Sequence, residues 1–565
     1  MNMKYILAAL AVCLGAAAAM AIPAKLGVRT YTQPDGSVIN ICKVGDEHLN
    51  FTTSEEGYLL AMDADGFYKI GEIDADGMIV ATDFLPTPEA KAARGKRLSD
   101  LNTEEIRGRR IDSRRIAQSG MGMYKDTYPT TGSPRCLIFL VEYQDVRFSM
   151  EYDPYEYFSR MMNDDDFDLA GGTGGVARYF REQSGGKFTP IFDIYGPVTL
   201  PNYQEYYGGN YEQGWDVFAH YMVRHAAEIL DPKVDFSVYD EDGDGDIDFI
   251  YVFYAGQGEH NLGDENTVWP HSGYLKQVAD FKIVDGKWLN LYACSNELEG
   301  DVPAGMGNFV HEYCHVIGLP DLYTTDMSVV DRDFTPGQYS ILDYGVYNND
   351  ARTPPNFTAY ERNALGWDEP FEIKGATYVE LPDISTGDFG IIQTNKDSEF
   401  FLLENRQLKG WDAGLPGHGL LVWHIDYTAS AFKNNQVNTN RNHQRVRLLK
   451  ANGEESFIRY ADGFPFPGTA NITELTPETS PALRSWSGQP VNVPLTNIRE
   501  QNGYIGFCVA GYEPDEDIEL SVKELGAEDV EPVYFNLQGQ RINIPERGMP
   551  VIERRGASTR KIIYQ

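Results

Sequence analysis

Beyond residue 21 this 565-residue chain has no apolar run approaching the roughly 20 residues of a membrane-spanning helix, so no stable membrane span is expected. Positive charge is also short: 48 Lys+Arg face 84 Asp+Glu, a net of −36. A phosphate backbone calls for a basic face, which excludes a general nucleic-acid binder. Cysteine is scarce. Five of six (Cys42, Cys136, Cys294, Cys314 and Cys508) lie beyond residue 21, an odd count without tight spacing that makes no disulfide framework. Export would permit one or two bridges, but the sequence pairs none. Core material, by contrast, is plentiful: 42% hydrophobic and 12% aromatic residues rule out wholesale disorder, and the length exceeds one ordinary domain.

The ends of the chain suggest where it goes. Lys4, an apolar run and Ala19-Met20-Ala21 read as a signal peptide over residues 1–21. An anchor helix there is shorter than a span requires, and Val12 argues against lipidation at Cys13. From 22 to about 115, short alternating stretches broken by Asp-Gly turns read as β-hairpins. A basic connector follows, with Lys91, Arg94, Lys96, Arg97, Arg107, Arg109, Arg110, Arg114 and Arg115. Residues 22–118 are therefore expected to be a pro-segment ending in a linker that an activating protease cuts after Arg. A solvated helix joining two permanent domains is the plainer alternative.

The chemistry lies in residues 308–323, NFVHEYCHVIGLPDLY. His311 and His315 are i and i+4, so on a helix both imidazoles leave one face and can bind one metal. Glu312, about 100° around, can reach a water there without being a ligand. Two neutral imidazoles suit zinc, which acidifies water for attack on a carbonyl. Gly318 permits the left-handed turn that ends the helix and Pro320 stops its resumption. The chain can then return and offer Asp321 as third ligand. The competing reading has the Asp321 carboxylate hold one of the histidines, with Glu361 as the ligand instead.

The extended motif H-E-x-x-H-x-x-G-x-x-D resembles the metzincin-type zinc endopeptidases, and HEYCHVIGLPDLY resembles the immune inhibitor A family, which uses Asp as third ligand. Blocks such as CLIFLVEYQDVRF, GGVARYFREQSGGKF, YSILDYGVYNN and LPGHGLLVWHID extend the likeness over most of residues 136–500. The resemblance implies a zincin fold and protein or peptide substrates. It also implies that Tyr344 steadies the oxyanion of the transition state. One block departs from the metzincin pattern: Ser340-Ile341-Leu342-Asp343-Tyr344 has Leu where a Met-turn has Met, a swap of similar volume that should preserve the floor of the site. His271 and Cys314 read as structural, and Cys42, a candidate for blocking the zinc, sits in a strand pattern that favours simple burial.

A second metal site is suggested by Asp240, Asp242, Asp244, Asp246 and Asp248, spaced with Gly245 like the first part of a calcium loop. Tyr251 replaces the twelfth-position Glu and a strand-like run follows, so this is a loop fragment whose Ca2+ would brace the sheet edge beside the cleft. Residues 137–145 read as a core strand and 174–185 as a helix. The stretch FKNNQVNTNRNHQ (432–444) is loop-like and is offered as lining the cleft or binding an ion, with no physical account that chooses between them.

The expectation is an α+β protein: signal peptide (1–21), β-rich pro-segment with its linker (22–118), zincin catalytic domain of twisted mixed sheet plus active-site helix (119–370), all-β region (371–512), and an acidic linker with tail (513–565). The tail resembles the C-terminal sorting tails of Bacteroidetes type IX secretion cargo, implying a secreted or cell-surface protein. The expected function is a secreted Zn2+ endopeptidase made as a zymogen, with structural Ca2+. The rival is a calcium-stabilised surface adhesin with a vestigial zinc site.

Overall fold

The computed structural model describes residues 16–17, 20–25, 27–45, 50–63, 65–73, 79–101, 118–119, 128–210, 216, 218–262, 264–278, 282–326, 329, 332–513, 533–535, 541–542, 550–555 and 558–563. Most of the leader and the second half of the basic connector, Arg107 to Arg115, fall outside the described residues.

The alternating N-terminal stretches form a six-stranded antiparallel meander: β1 (Arg29–Thr32), β2 (Val38–Gly45), β3 (Asn50–Ser54), β4 (Leu59–Met62), β5 (Tyr68–Ile73) and β6 (Ile79–Ala81). Helix α1 (Pro88–Arg94), capped by Thr87, carries the start of the basic connector, and Lys91 pairs with Glu56 at 2.7 Å. Those basic residues are therefore folded onto the meander.

The central domain is built on a mixed sheet. Strand β7 (Arg135–Glu142) lies between β8 (Ile191–Thr199) and β9 (Ile250–Gln257), all parallel. Next come β11 (Leu291–Glu299), parallel to β9, and β10 (His271–Tyr274), antiparallel to β11. β7 is apolar from Cys136 to Val141 because both its faces are buried there. Cys136, Ile138 and Leu140 face one core, and Leu137, Phe139 and Val141 face the other. The first core is covered by α2 (Pro154–Asn163), α3 (Val176–Gln183) and α5 (Gly307–Val316); α4 (His220–Leu230) covers the second.

The N-terminal segment meets this domain closely. Met20–Ala21 pairs antiparallel with Ser272–His271 of β10. Trp269 Nε1 donates to Ile22 O at 3.2 Å, and Tyr347 OH donates to Pro23 O at 2.5 Å. Lys43 of β2 donates to Glu259 at 3.1 Å, with the two residues only 5% and 1% exposed. Burial pushes the Glu259 carboxyl up and the Lys43 ammonium counters it. Removing one partner of such a pair costs about 3–5 kcal/mol, because the other charge stays buried.

After α6 (Ala359–Ala364) come β12 (Thr377–Leu381), β13 (Gly390–Gln393), β14 (Glu399–Arg406), β15 (Gly419–Asp426), β16 (Val446–Leu449), β17 (Leu495–Gln501) and β18 (Tyr504–Val509). β13 to β16 form one antiparallel sheet and β12, β18 and β17 another. This region is β-rich rather than all-β, since short helices span Ala429–Lys433 and Phe457–Tyr460. Nor does packing break at residue 370: Leu402, Leu421, Trp423 and Ile425 belong to the same core as α5, while Leu403, Leu420 and Val422 face a core of their own. Buried Arg406 reinforces the seam, donating to Asp412, to Glu404 and to the Asn356 carbonyl. Four tail strands, Val533–Phe535, Arg541–Ile542, Pro550–Arg555 and Ser558–Ile563, form a separate small antiparallel sheet.

Candidate active site

Helix α5 is buried on every side, all ten of its residues included, so its polar side chains must be satisfied internally. It ends as the glycine spacing predicts. Gly318 adopts φ +100° and the Leu319 N–H donates to Cys314 O at 3.0 Å, a glycine cap that reverses the chain. Three residues later Asp321 arrives beside the two histidines.

His311 Nδ1 lies 2.8 Å from Ile341 O, and His315 Nδ1 lies 2.9 Å from Leu319 O. A carbonyl only accepts, so each Nδ1 carries the hydrogen and each Nε2 keeps a lone pair. Those lone-pair nitrogens face each other at 3.1 Å, and Asp321 Oδ1 stands 3.2 and 3.3 Å from them. No hydrogen bond reaches Oδ1 from the described residues. Burial pushes the His311 imidazole down, toward the neutral form whose Nε2 keeps its lone pair. Three acceptors converging without a proton between them are stable only around a cation. Zinc bonds of about 2.0–2.1 Å in a tetrahedron set ligand separations of about 3.3–3.4 Å, which these three atoms match.

The Ser340–Tyr344 turn lies beneath this triad. Ile341 orients His311, Leu342 is fully buried, and the Leu342 carbonyl accepts from Leu322 N at 2.8 Å. Leu in place of Met thus leaves a filled apolar floor. Glu361, the competing ligand, does not join the triad. It accepts from Ser340 Oγ at 2.6 Å and from the Thr358 N–H at 2.7 Å, so it braces the turn from below. Thr358 and Glu361 form a capping box for α6, a T-x-x-E signal legible in the sequence. Burial raises the Glu361 carboxyl to about 7.

Glu312 is fully buried on α5 between the histidines. Tyr344 is half-buried and lines a small cavity with Tyr323, Thr324, Arg332 and, from the N-terminal segment, Pro23. His271 is a structural residue: its two nitrogens meet Trp269 O at 2.6 Å and Tyr292 OH at 2.8 Å. Cys42 is half-buried in β2 opposite Thr53, and Cys314 is core. Cys42, Cys136, Cys294, Cys314 and Cys508 are all free thiols. Sequence reasoning missed Asn435, which contacts Asp321 from 114 residues away.

In the acidic loop, carboxylate oxygens of Asp240, Asp242 and Asp244 lie within 4.8 Å of one another. Asp246 instead pairs with Lys276 and accepts from Asn290 at 2.8 Å, and Asp248 accepts from the Glu241 N–H at 3.0 Å. Lys287 is bonded to Asp240. The loop does not brace a sheet edge, because β9, which it enters, is interior, flanked by β7 and β11.

Helix, triad and turn define a metallopeptidase domain. Residues 140–367 match the family model described as immune inhibitor A peptidase M6, catalytic domain. The pre-pro-metalloprotease PrtV of Vibrio cholerae is 26% identical over 199 residues, which cover 31% of this chain and 22% of that protein. Immune inhibitor A of Bacillus thuringiensis subsp. alesti is 26% identical over 232 residues, 34% of each chain. The match thus spans between 22% and 34% of the length of these curated relatives. Within that span, the chain carries an immune inhibitor A-like metalloprotease domain.

Proposed function

We propose that this chain is an exported zinc endopeptidase made as a zymogen. The observation that carries the reading is the convergence of His311 Nε2, His315 Nε2 and Asp321 Oδ1 at 3.1 to 3.3 Å in a fully buried setting. These three residues would hold a zinc ion, which supplies Lewis acidity toward water and the scissile carbonyl. Glu312 takes the proton of the attacking water and returns it to the leaving amine. Tyr344 donates its phenol hydrogen to the developing oxyanion. The Ile341 and Leu319 carbonyls keep both imidazoles in the tautomer the metal needs.

Latency is supported by the N-terminal segment. Ile22 O accepts from Trp269 Nε1, Pro23 shares a cavity with Tyr344, and the Lys43–Glu259 pair fastens the meander. Cutting in the basic connector would free that segment to leave. Calcium at Asp240, Asp242 and Asp244 is part of the proposal, as are export by residues 1–21 and surface sorting by the tail. No helix among the described residues is long and apolar enough to cross a membrane. The adhesin reading is not favoured, since the matched family and relatives are peptidases.

The test is casein hydrolysis by protein nicked in the connector, with Glu312→Ala as control. The variant should retain zinc and lose about 10²- to 10⁴-fold in rate, the range for a general base. Equal inertness of zinc-loaded wild type and variant would sink the peptidase reading.

A further inference from the structure

Asn435 belongs to the Asn-rich stretch for which the sequence offered cleft lining or ion binding without naming a residue. Its side chain grips Asp321 twice: Oδ1 accepts from the Asp321 backbone N–H at 2.8 Å, and Nδ2 donates to Asp321 Oδ2 at 2.6 Å. Both residues are buried. The grip reads backbone and carboxylate together, so it fixes the rotation of the Asp321 side chain and leaves Oδ1 alone to face the histidines. The segment holding Asn435 is tied to the same strip of chain. Thr325 Oγ1 donates to Asn435 O at 2.6 Å, and Asn438 Nδ2 donates to Leu322 O at 2.8 Å. Asn435 itself sits at φ +52°, a left-handed conformation that Asn tolerates and most residues do not.

We infer that Asn435 is a positioning residue of the zinc site: it presents Asp321 as a one-oxygen ligand by occupying the other oxygen with a neutral donor. The neutrality matters. A lysine or arginine in that place would bond Oδ2 equally well but would set a fixed positive charge beside the metal and weaken its binding by repulsion. An aspartate would add a negative charge while offering no hydrogen to Oδ2. The amide satisfies the buried oxygen without altering the charge of the site. It follows that the region matching the catalytic-domain model, residues 140–367, does not hold its third ligand unaided. The positioning group is contributed by a segment following β15, from the β-rich region.

This inference rests on the zinc reading above, and the experiment separates the two. Zinc dissociation constants are measured on the full chain by competition with a chromogenic chelator, for wild type, Asn435→Asp and Asn435→Gly. Glycine keeps the backbone conformation and removes both bonds, so Asn435→Gly should bind zinc about 10- to 100-fold more weakly, the usual effect of losing a group that orients a metal ligand. The aspartate keeps the shape, the left-handed backbone and the acceptor for Asp321 N–H, but it removes the donation to Oδ2 and adds a negative charge, so Asn435→Asp should bind zinc more tightly than Asn435→Gly. The cobalt-substituted variants should show shifted visible absorption bands, while the metal-free proteins unfold at the wild-type temperature. An Asn435→Gly affinity within twofold of wild type, or weakened binding matched by an equal fall in metal-free stability, would overturn the positioning role and leave the zinc reading standing. Wild type that takes up no zinc would overturn both.

Discussion

Asp321 and Asp240 are both buried carboxylates, and each has one oxygen that no described residue supplies with a hydrogen bond. Their surroundings differ. The second oxygen of Asp321 is held by a neutral amide, and its charged-form partners are two imidazoles whose Nδ1 hydrogens are already committed to carbonyls. The second oxygen of Asp240 meets the Lys287 ammonium and the Gly245 N–H at 3.1 Å, and its neighbours Asp242 and Asp244 are exposed. The triad therefore requires a cation from outside, whereas the loop has already drawn cations from its own chain. Donor chemistry divides them in the same way. Two nitrogens and one oxygen in a fixed triangle suit zinc; three carboxylates, two of them exposed, suit calcium, bound according to its supply.

Chelators give the largest expected contrast. 1,10-Phenanthroline should lower casein hydrolysis by about 10³-fold, since the metal contributes several kcal/mol to the transition state. Zinc should restore the rate. EGTA, which prefers calcium, should leave the initial rate within twofold at 25 °C. If EGTA inactivates as fast as phenanthroline, the two sites are not independent and the comparison breaks.

The loop's contribution should appear instead in stability. Calcium at 100 times its Kd adds about 2.7 kcal/mol, which for a domain of this size raises Tm by roughly 5 °C. The double variant Asp242→Asn/Asp244→Asn should lose that rise and keep its zinc-dependent rate. A calcium response that survives both substitutions would move the ion elsewhere.

The contrast also explains what could be read from the sequence. His311, Glu312, His315 and Asp321 were legible because helix periodicity and a glycine cap are local, and eleven consecutive residues contain the whole device. The continuous apolar run of β7 and the run after the acidic loop were legible for the same reason. Asn435 was not, because its partner lies 114 positions away and no periodicity links them. In the acidic loop, spacing located the carboxylates but not the lysines that compete for them: Lys276 and Lys287 come from a turn and a hairpin that only the fold brings near. The boundary at residue 370 misled for a related reason. Alternation along β14 and β15 shows two buried faces but does not say that one of them completes the core of another domain.

Glu361 sharpens the comparison as a third case, a buried carboxylate offered neither a metal nor a lysine. Burial raises it to about 7 from an ordinary value of 4.5, against the hydrogen bond from Ser340. Between those two values the native state keeps a proton that the unfolded chain has released. The native state binds more protons there, so stability must fall as pH rises from about 4.5 to 7 and level off above. Glu361→Gln keeps an oxygen for Ser340 Oγ and cannot titrate. The variant's Tm, measured from pH 5 to 8, should therefore gain on wild type by a few degrees as pH increases, with zinc content unchanged at every point. Parallel curves would mean that Glu361 is ionised throughout, and that burial alone does not decide the protonation of carboxylates in this domain.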